Sequence, residues 1–319
     1  MRGISNVSAG SGQGPLHLLT VGNGGRREGS SPTGIVGRAL ARRLLAGGGR
    51  VRVLAEPAQA GGWPPHCEIV EGSVASPADV ESVSSGVSTL FLADADPASA
   101  AEVLQAGDIP RIRRLVLLSS HGPEYEENYP PETWFWLAIE HAVRNSGIPA
   151  TIIRPSAVMG AMLAGTYPAT GFGWRETIET AGTVWEPYGA AGCYPFIHEE
   201  DLAAVAAAGL LGDEYTGMVL EAVGLPVSTG DRVACLAAAL GREIDLVALT
   251  EAEARQRWRA QGWPDSAVDV TLYALQEYAA RTAELTQWTL DQRPSVAAII
   301  GRPPRTFQDW VADNLDEFR

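Results

Sequence analysis

Short, mainly apolar runs alternate along this chain with stretches in which apolar residues recur every three to four positions. The run Leu16-His17-Leu18-Leu19-Thr20-Val21 stops at Gly22 and reads as a strand buried on both faces of a parallel sheet. Over residues 35–46, Val36, Ala39, Leu40 and Leu44 repeat at helical spacing until Gly47-Gly48-Gly49 ends the pattern. Further strands are predicted at 51–54, 68–70, 89–93, 114–119 and 150–154, with a helix at about 133–145 closed by Ser146-Gly147. Strands that alternate with helices in this way imply right-handed βαβ crossovers. The predicted fold is therefore α/β, a Rossmann-type doubly wound parallel sheet.

Beyond Pro155 the pattern changes. Residues 156–196 cluster Gly, Pro, Met, Trp and Tyr, which suits a mobile, aromatic-lined cover over the carboxyl ends of the strands. An alanine-rich helix is predicted at 201–211 and a strand at 218–222; the remainder reads as helices, including an amphipathic one at 252–259. Residues 1–14, rich in Ser and Gly, read as a disordered leader. The expected organisation is a dinucleotide-binding domain at 15–155, to which 197–225 returns. A smaller, mainly helical substrate-covering lobe takes 156–196 and 226–319.

Composition narrows the chemistry. A chain of 319 residues, 45% hydrophobic, can bury a large core without staples. Its three cysteines lack CxxC spacing, so neither a disulfide framework nor a metal site is expected. The formal charge of -14 opposes nucleic acid and anionic membrane surfaces as partners. No run approaches the roughly 18 apolar residues of a membrane helix, and a cytoplasmic location is expected. All 24 basic residues are arginine. The absence of lysine excludes Schiff-base and pyridoxal-phosphate enzymes, P-loop NTPases and dehydrogenases built on a Tyr-xxx-Lys pair, each of which needs that amine.

A dinucleotide site places glycines after the first strand, so that the backbone approaches the diphosphate and a helix N-terminus faces it. Thr33-Gly34-Ile35-Val36-Gly37 supplies the end of such a motif. Gly22 would be its first glycine, yet eleven residues separate Gly22 from Gly34 where a compact fingerprint has two. The intervening 23–32 segment could fold over the diphosphate, donate arginine contacts or fill the site. Glu56, nineteen residues past Gly37, is placed to accept hydrogen bonds from a ribose diol, which favours NAD over NADP.

The chain resembles the NmrA-like family of NAD(P)-binding proteins, atypical short-chain dehydrogenases of actinobacterial type. The resemblance rests on Thr33-Gly34-Ile35-Val36-Gly37-Arg38, Val51-Arg52-Val53-Leu54, Val70-Glu71-Gly72, Leu117-Leu118-Ser119-Ser120, Ile139-Glu140, Thr151-Ile152-Ile153-Arg154-Pro155, Phe196-Ile197-His198 with Asp201-Leu202-Ala203, and Gly301-Arg302-Pro303-Pro304. It implies that Gly22, Gly34, Ile35, Val36 and Gly37 line the diphosphate, Glu56 and Ser73 the adenosine, and Ala93 and Ser119 the nicotinamide half. The family's dehydrogenase lysine and tyrosine positions hold Trp136 and Glu132 here. Ketone reduction normally needs that tyrosine as an acid, whereas a quinone or conjugated aromatic delocalises its developing charge and needs less help.

Ser119-Ser120-His121 ends the fifth strand, where an open α/β sheet binds ligands. His121 is the first candidate acid or base, because its ordinary pKa lies near neutrality. Ser120, Tyr125 and Tyr129 could donate to an oxyanion. Glu132, Trp136 and Glu140 are spaced to share one helix face, with Trp136 a stacking surface for an aromatic substrate. Met159, Met162 and Trp174, with Phe172, Trp185 and Tyr188, are expected to include pocket walls. His198 and its acidic neighbours read as a helix start with Asp201 as N-cap. The leading expectation is an NAD(P)H-dependent oxidoreductase or reductive tailoring enzyme for a small aromatic, polyketide-type metabolite of secondary metabolism. Two alternatives stand beside it: a cofactor-independent, cyclase-like protein closed by the 23–32 insertion, and an NAD(P)-sensing regulator. A homo-oligomer is compatible with all three.

Overall fold

In the computed structural model, residues 14–22, 32–165, 171–189 and 192–319 are described. The leader, but for Gly14, and the 23–31 part of the glycine-loop insertion lie outside them. Six strands precede the lobe: β1 (Leu16–Val21), β2 (Arg50–Ala55), β3 (Glu68–Glu71), β4 (Thr89–Leu92), β5 (Arg114–Leu118) and β6 (Ala150–Pro155). Then come β7 (Ala157–Val158), β8 (Thr183–Pro187), β9 (Cys193–Ile197) and β10 (Val219–Ala222), followed by β11 (Leu225–Ser228) and β12 (Asp245–Leu249). The first six and β10 form one parallel sheet in the order β3-β2-β1-β4-β5-β6-β10, with Leu19 of β1 opposite both Val53 and Phe91.

Helices cover both faces of this sheet, which explains why its central strands β1, β4 and β5 are buried almost throughout rather than alternating. On one side α1 (Pro32–Ala46) brings Val36, Leu40 and Leu44 onto Leu19, Val53 and Phe91. On the other, α2 (Pro77–Ser84), α3 (Ala100–Val103) and α4 (Trp136–Asn145) bring Val80, Val103, Ile139 and Val143 onto Leu18, Leu54 and Leu90. Adjacent Leu18 and Leu19 thus enter opposite cores, as the two-residue strand period requires. After α5 (Ala161–Ala164) and α6 (Trp174–Ala181), α7 (Glu199–Leu211) packs beside α1.

The lobe continues through α8 (Thr229–Leu240), α9 (Glu251–Ala260), α10 (Asp265–Ala280), α11 (Thr282–Asp291), α12 (Val296–Ile300) and α13 (Phe307–Asn314). A third core joins these helices around Trp174, Trp258, Trp263, Phe307 and Trp310. Inside it Glu186 and Arg232 are both buried; Arg232 stacks on Trp174 and Phe196, and Trp174 donates its indole N–H to Glu186 at 2.8 Å.

Three expectations are corrected here. The remainder of the chain is not all helix: β11 pairs antiparallel with β9, and β12 parallel with β8. Both are five residues or shorter and owe their extended form to partners the local sequence does not reveal. Asp201 is not the cap of α7. His198 caps it, its Nδ1 accepting from Glu200 N–H at 3.1 Å, while fully buried Asp201 accepts from the Arg302 side chain and the Arg305 backbone. Glu132 does not share a helix face with Trp136, because it sits in a separate 3-10 turn at Pro131–Thr133.

Candidate active site

The strand order reverses between β1 and β4, and a crevice opens above their carboxyl ends. Thr20 ties the two strands there: its hydroxyl donates to Ala93 O at 2.8 Å and accepts from Ala93 N–H. The next residue, Asp94, takes a left-handed backbone (φ 56°), which aspartate tolerates better than most side chains. Its carboxylate therefore turns back over the crevice. There it accepts from Gly22 N–H at 2.7 Å and from the Thr33 hydroxyl at the start of α1. Burial pushes the Asp94 carboxyl above its ordinary range, against the pull of those two donors.

A cavity of about 350 Å³ occupies this position. Pro32, Thr33 and Val36 of α1 form one wall with Asp94, and Ser119, Ser120 and His121 beyond β5 form the next. Tyr125 and Trp136 close one side; the lobe closes the other through Tyr194, Phe196 and a stripe of α10. That helix has two faces. Val268, Leu272 and Leu275 point into the lobe core, while Val270, Thr271, Ala274 and Tyr278 line the cavity. Among the described lining residues there is no arginine, and Asp94 is the single acid.

Two carboxylates hold the walls in place. Glu126, buried in the loop after β5, accepts from the backbone N–H groups of Phe135, Trp136 and Leu137 at 2.9 to 3.1 Å. It thereby caps the start of α4, which has no capping side chain of its own, and fixes Trp136 at the cavity edge. Glu140, one turn further along, is fully buried. It accepts a bidentate pair of 2.8 Å bonds from Arg154, one from the Ser119 hydroxyl at 2.8 Å and one from Arg144 at 2.7 Å. Ser119 is thus a bonded support of the wall, and Ser120 is the neighbouring hydroxyl with no such bond to Glu140.

His121 is where sheet and lobe meet. Its Nε2 lies 3.2 Å from the Tyr278 hydroxyl, and its ring stands edge-on to Trp288 of α11 at 5.1 Å. Its Nδ1 faces Glu221 Oε2 of β10 at 3.7 Å. Among the described residues, neither of those two buried atoms has a hydrogen-bond partner. Arg154 reaches Glu221 Oε1 at 3.4 Å from the other side. Burial pushes the Tyr278 phenol up to about 12, and its ring rests against Tyr194 at 4.9 Å. The hydroxyl of Thr271, also buried and without a partner, is a further polar atom at this wall.

Of the residues singled out from sequence, His121, Tyr125, Ser120, Ser119, Val36 and Trp136 line the cavity together. Gly22 abuts it through Asp94, and Gly34 and Ile35 lie in the first turn of α1. Gly37 packs against a ring: a Cβ there would meet Trp63 at 2.9 Å. Glu56 follows β2, its backbone N–H on Val21 O; Ser73 follows β3, its N–H held by Asp79. Ala93 is fully buried and only its neighbour Asp94 reaches the cavity. Met159, Met162 and Trp174 are corrected from cavity wall to lobe core, and Tyr129 is exposed. Asp94, Tyr194, Thr271 and Tyr278 were missed. The spacing of Thr271, Ala274 and Tyr278 was the available signal for the last of these, a second stripe on a helix that already had an apolar one.

A reduced dinucleotide fits these residues in part by an indirect sign. The start of α1 and the Gly22 N–H face the crevice as a diphosphate site requires, while Asp94 occupies the Gly22 and Thr33 donors that a diphosphate would meet. Among the described residues no cluster of His, Cys, Asp and Glu could hold a metal ion, and no helix is long and apolar enough to cross a membrane.

A family model described as NAD(P)H-binding matches residues 32–173. Over 292 residues the chain is 31% identical to the (4-alkanoyl-5-oxo-2,5-dihydrofuran-3-yl)methyl phosphate reductase of Streptomyces griseus, covering 90% of this chain and 96% of that one. Two solved structures share the fold at low identity. The triphenylmethane reductase of Citrobacter sp. superposes with a TM-score of 0.69 at 17% identity, over 95% of this chain and 99% of that one. An NADPH-dependent quinone oxidoreductase from Escherichia coli gives 0.66 at 18%, over 94% and 99%. Whole-length similarity to the Streptomyces reductase, with the NAD(P)H-binding match across the α1 cradle, makes this chain a member of the NAD(P)H-binding family to which that reductase belongs.

Proposed function

We propose that this protein is an NAD(P)H-dependent reductase of an uncharged, conjugated acceptor, of the quinone or aromatic polyketide type. The observation that carries the reading is the cavity itself, which runs from the first turn of α1 to an aromatic wall supplied by the lobe. Its described lining offers no arginine for a phosphate, which argues for an acceptor unlike the phosphate ester named for the Streptomyces relative. Conjugation matters because the position of the usual acid tyrosine holds Glu132, outside the cavity lining. An acceptor that spreads its developing charge over a ring asks less of a proton donor.

When bound, a reduced nicotinamide supplies the hydride. Thr33 and Val36 would hold the diphosphate end, Ser119 the nicotinamide half and Glu56 the adenosine ribose. Glu56, just past β2, carries a negative charge that would repel a 2′-phosphate, so NADH is the expected cofactor rather than NADPH. Trp136, Tyr194 and Phe196 orient the acceptor and exclude water, while the Glu140–Arg154 pair keeps the Ser119 edge fixed.

The test is to titrate the purified protein with NADH and NADPH by fluorescence, then add a small quinone and follow the nicotinamide absorbance. Binding with turnover, NADH preferred, is expected. A specific feature favours a second reading: Asp94 occupies the Gly22 and Thr33 donors, as it would in a protein whose cradle stays shut. Absence of any dinucleotide binding up to millimolar concentration would select that reading.

A further inference from the structure

We propose that Tyr278 is the proton donor to the oxygen of the reduced acceptor, with His121 reloading it and Glu221 positioning the imidazole. The proposal rests on the reductase reading above and supplies the acid that reading leaves unassigned. Three observations carry it. Tyr278 and His121 both line the cavity and lie 3.2 Å apart, although 157 residues separate them in the chain. His121 Nδ1 and Glu221 Oε2 are buried, unpartnered and 3.7 Å apart, facing one another. Each side chain is also held on its far side: Tyr278 by the Tyr194 ring, His121 by the edge of Trp288, Glu221 by Arg154.

Among the described residues, the polar or charged groups in contact with His121 are Tyr278 from α10 and Glu221 from β10, with Arg154 of β6 behind Glu221. An imidazole with one ring nitrogen facing a carboxylate that can accept its N–H, and the other nitrogen meeting a hydroxyl, is the arrangement used to fix a histidine's tautomer and pass a proton.

A reduced nicotinamide, when bound, would supply the hydride for a new C–H bond on the conjugated acceptor, leaving the electron pair displaced from the acceptor's π system on its carbonyl oxygen. The Tyr278 O–H bond breaks and an O–H bond forms on that oxygen. The protonated imidazole of His121 then returns a proton to the phenolate, and solvent reprotonates His121; Glu221 stays a carboxylate and stabilises the imidazolium. A phenol that burial keeps protonated through the neutral range is in the donating form before the reaction begins.

The experiment needs no dinucleotide in its first arm. 4-Nitrophenol, whose absorption reports its own ionisation, is titrated with pH in the presence of saturating protein. With the wild type the bound probe should ionise at least one pH unit lower than free probe, because donors at Tyr278 and His121 favour its oxyanion. Tyr278→Phe, which keeps the ring against Tyr194, should abolish the shift, and Glu221→Gln should halve it or more. In the second arm, with NADH and a quinone, Tyr278→Phe should lower kcat by about 100-fold with KM little changed, within the range general-acid catalysis provides. Glu221→Gln should move the pH profile rather than only its height. Failure of the probe to bind, an unshifted probe, or a shift that survives Tyr278→Phe overturns the proposal. If turnover is normal in Tyr278→Phe, the reductase reading stands and this one falls; if no dinucleotide binds but the probe shifts, the reverse holds for the redox step.

Discussion

Replacing Glu140 by alanine isolates the support of the cavity wall. The carboxylate is fully buried and receives four hydrogen bonds, two of them the bidentate pair from Arg154, whose own side chain is 8% exposed. Removing one partner of such a pair leaves a buried charge uncompensated, which costs about 3–5 kcal/mol. The loss of an acceptor for the buried Ser119 hydroxyl adds about 1 kcal/mol. Arg154 keeps contacts to Glu124 and Glu221, which lowers the sum, so about 3–5 kcal/mol is the expected total. Against a typical total stability of about 5–15 kcal/mol this is a large fraction. Urea denaturation followed by circular dichroism should show a lower midpoint at unchanged slope. The companion is the double variant Glu140→Met, Arg154→Met, which removes both charges and keeps volume; it should recover to within about 1–2 kcal/mol of wild type. If Glu140→Ala lies within about 1 kcal/mol of wild type, or the double variant is as unstable as the two single losses added, the pair does not support the wall in this way.

Three further outcomes are expected. Burial pushes the Glu186 carboxyl up to about 7 from an ordinary 4.5, so the folded protein holds a proton that the unfolded chain releases. Its stabilising share is complete below pH 4.5 and is lost as pH rises to about 7, by at most about 1.4 kcal/mol per pH unit. Wild type should therefore lose ground to Glu186→Gln across that window in melting experiments, and parallel profiles would refute the assignment. Asp94→Asn keeps an oxygen for Gly22 N–H and removes a charge from the diphosphate cradle. NADH affinity measured by fluorescence should rise about tenfold, equivalent to about 1.4 kcal/mol, and an unchanged or weaker affinity contradicts the role given to Asp94. Gly37→Ala would gain about 1 kcal/mol from helix propensity alone. The added methyl meets Trp63 at 2.9 Å, though, and that ring is held by Arg38 above it and by its N–H bond to Gln59 O. Overpacking should win, for a net loss of about 1–2 kcal/mol in thermal melts, relieved when Trp63→Leu is added; a more stable Gly37→Ala protein would show that the ring yields freely.

The central sheet was legible because burial on both faces writes itself into each strand. An apolar run such as 16–21 needs no knowledge of its neighbours to be recognised, and the helical repeat of Val36, Leu40 and Leu44 is equally local. The carboxyl-end position of Ser119, Ser120 and His121 followed from the same reasoning, since the order of strands and helices dictates where a doubly wound sheet opens. The short strands β11 and β12 were not legible, because four or five residues extend only when a partner strand is present, and theirs lie in the segment read as a loop-rich cover.

Periodicity reports that a residue is buried; it does not report which polar group it meets. Nothing in the chain announces that Glu126 caps α4, that Glu140 closes on Arg154, or that Asp94 turns back onto Gly22 across 72 residues. Composition likewise marked 156–196 as aromatic without separating Trp174, which fills the lobe core, from Tyr194, which faces the cavity. The sequence alone therefore determined the layered sheet and the edge at which the crevice opens, since both follow from local burial patterns. Only the packing of the sheet domain and the lobe decided which side chains meet there, because hydrogen bonds and ion pairs depend on contacts between elements far apart in the chain.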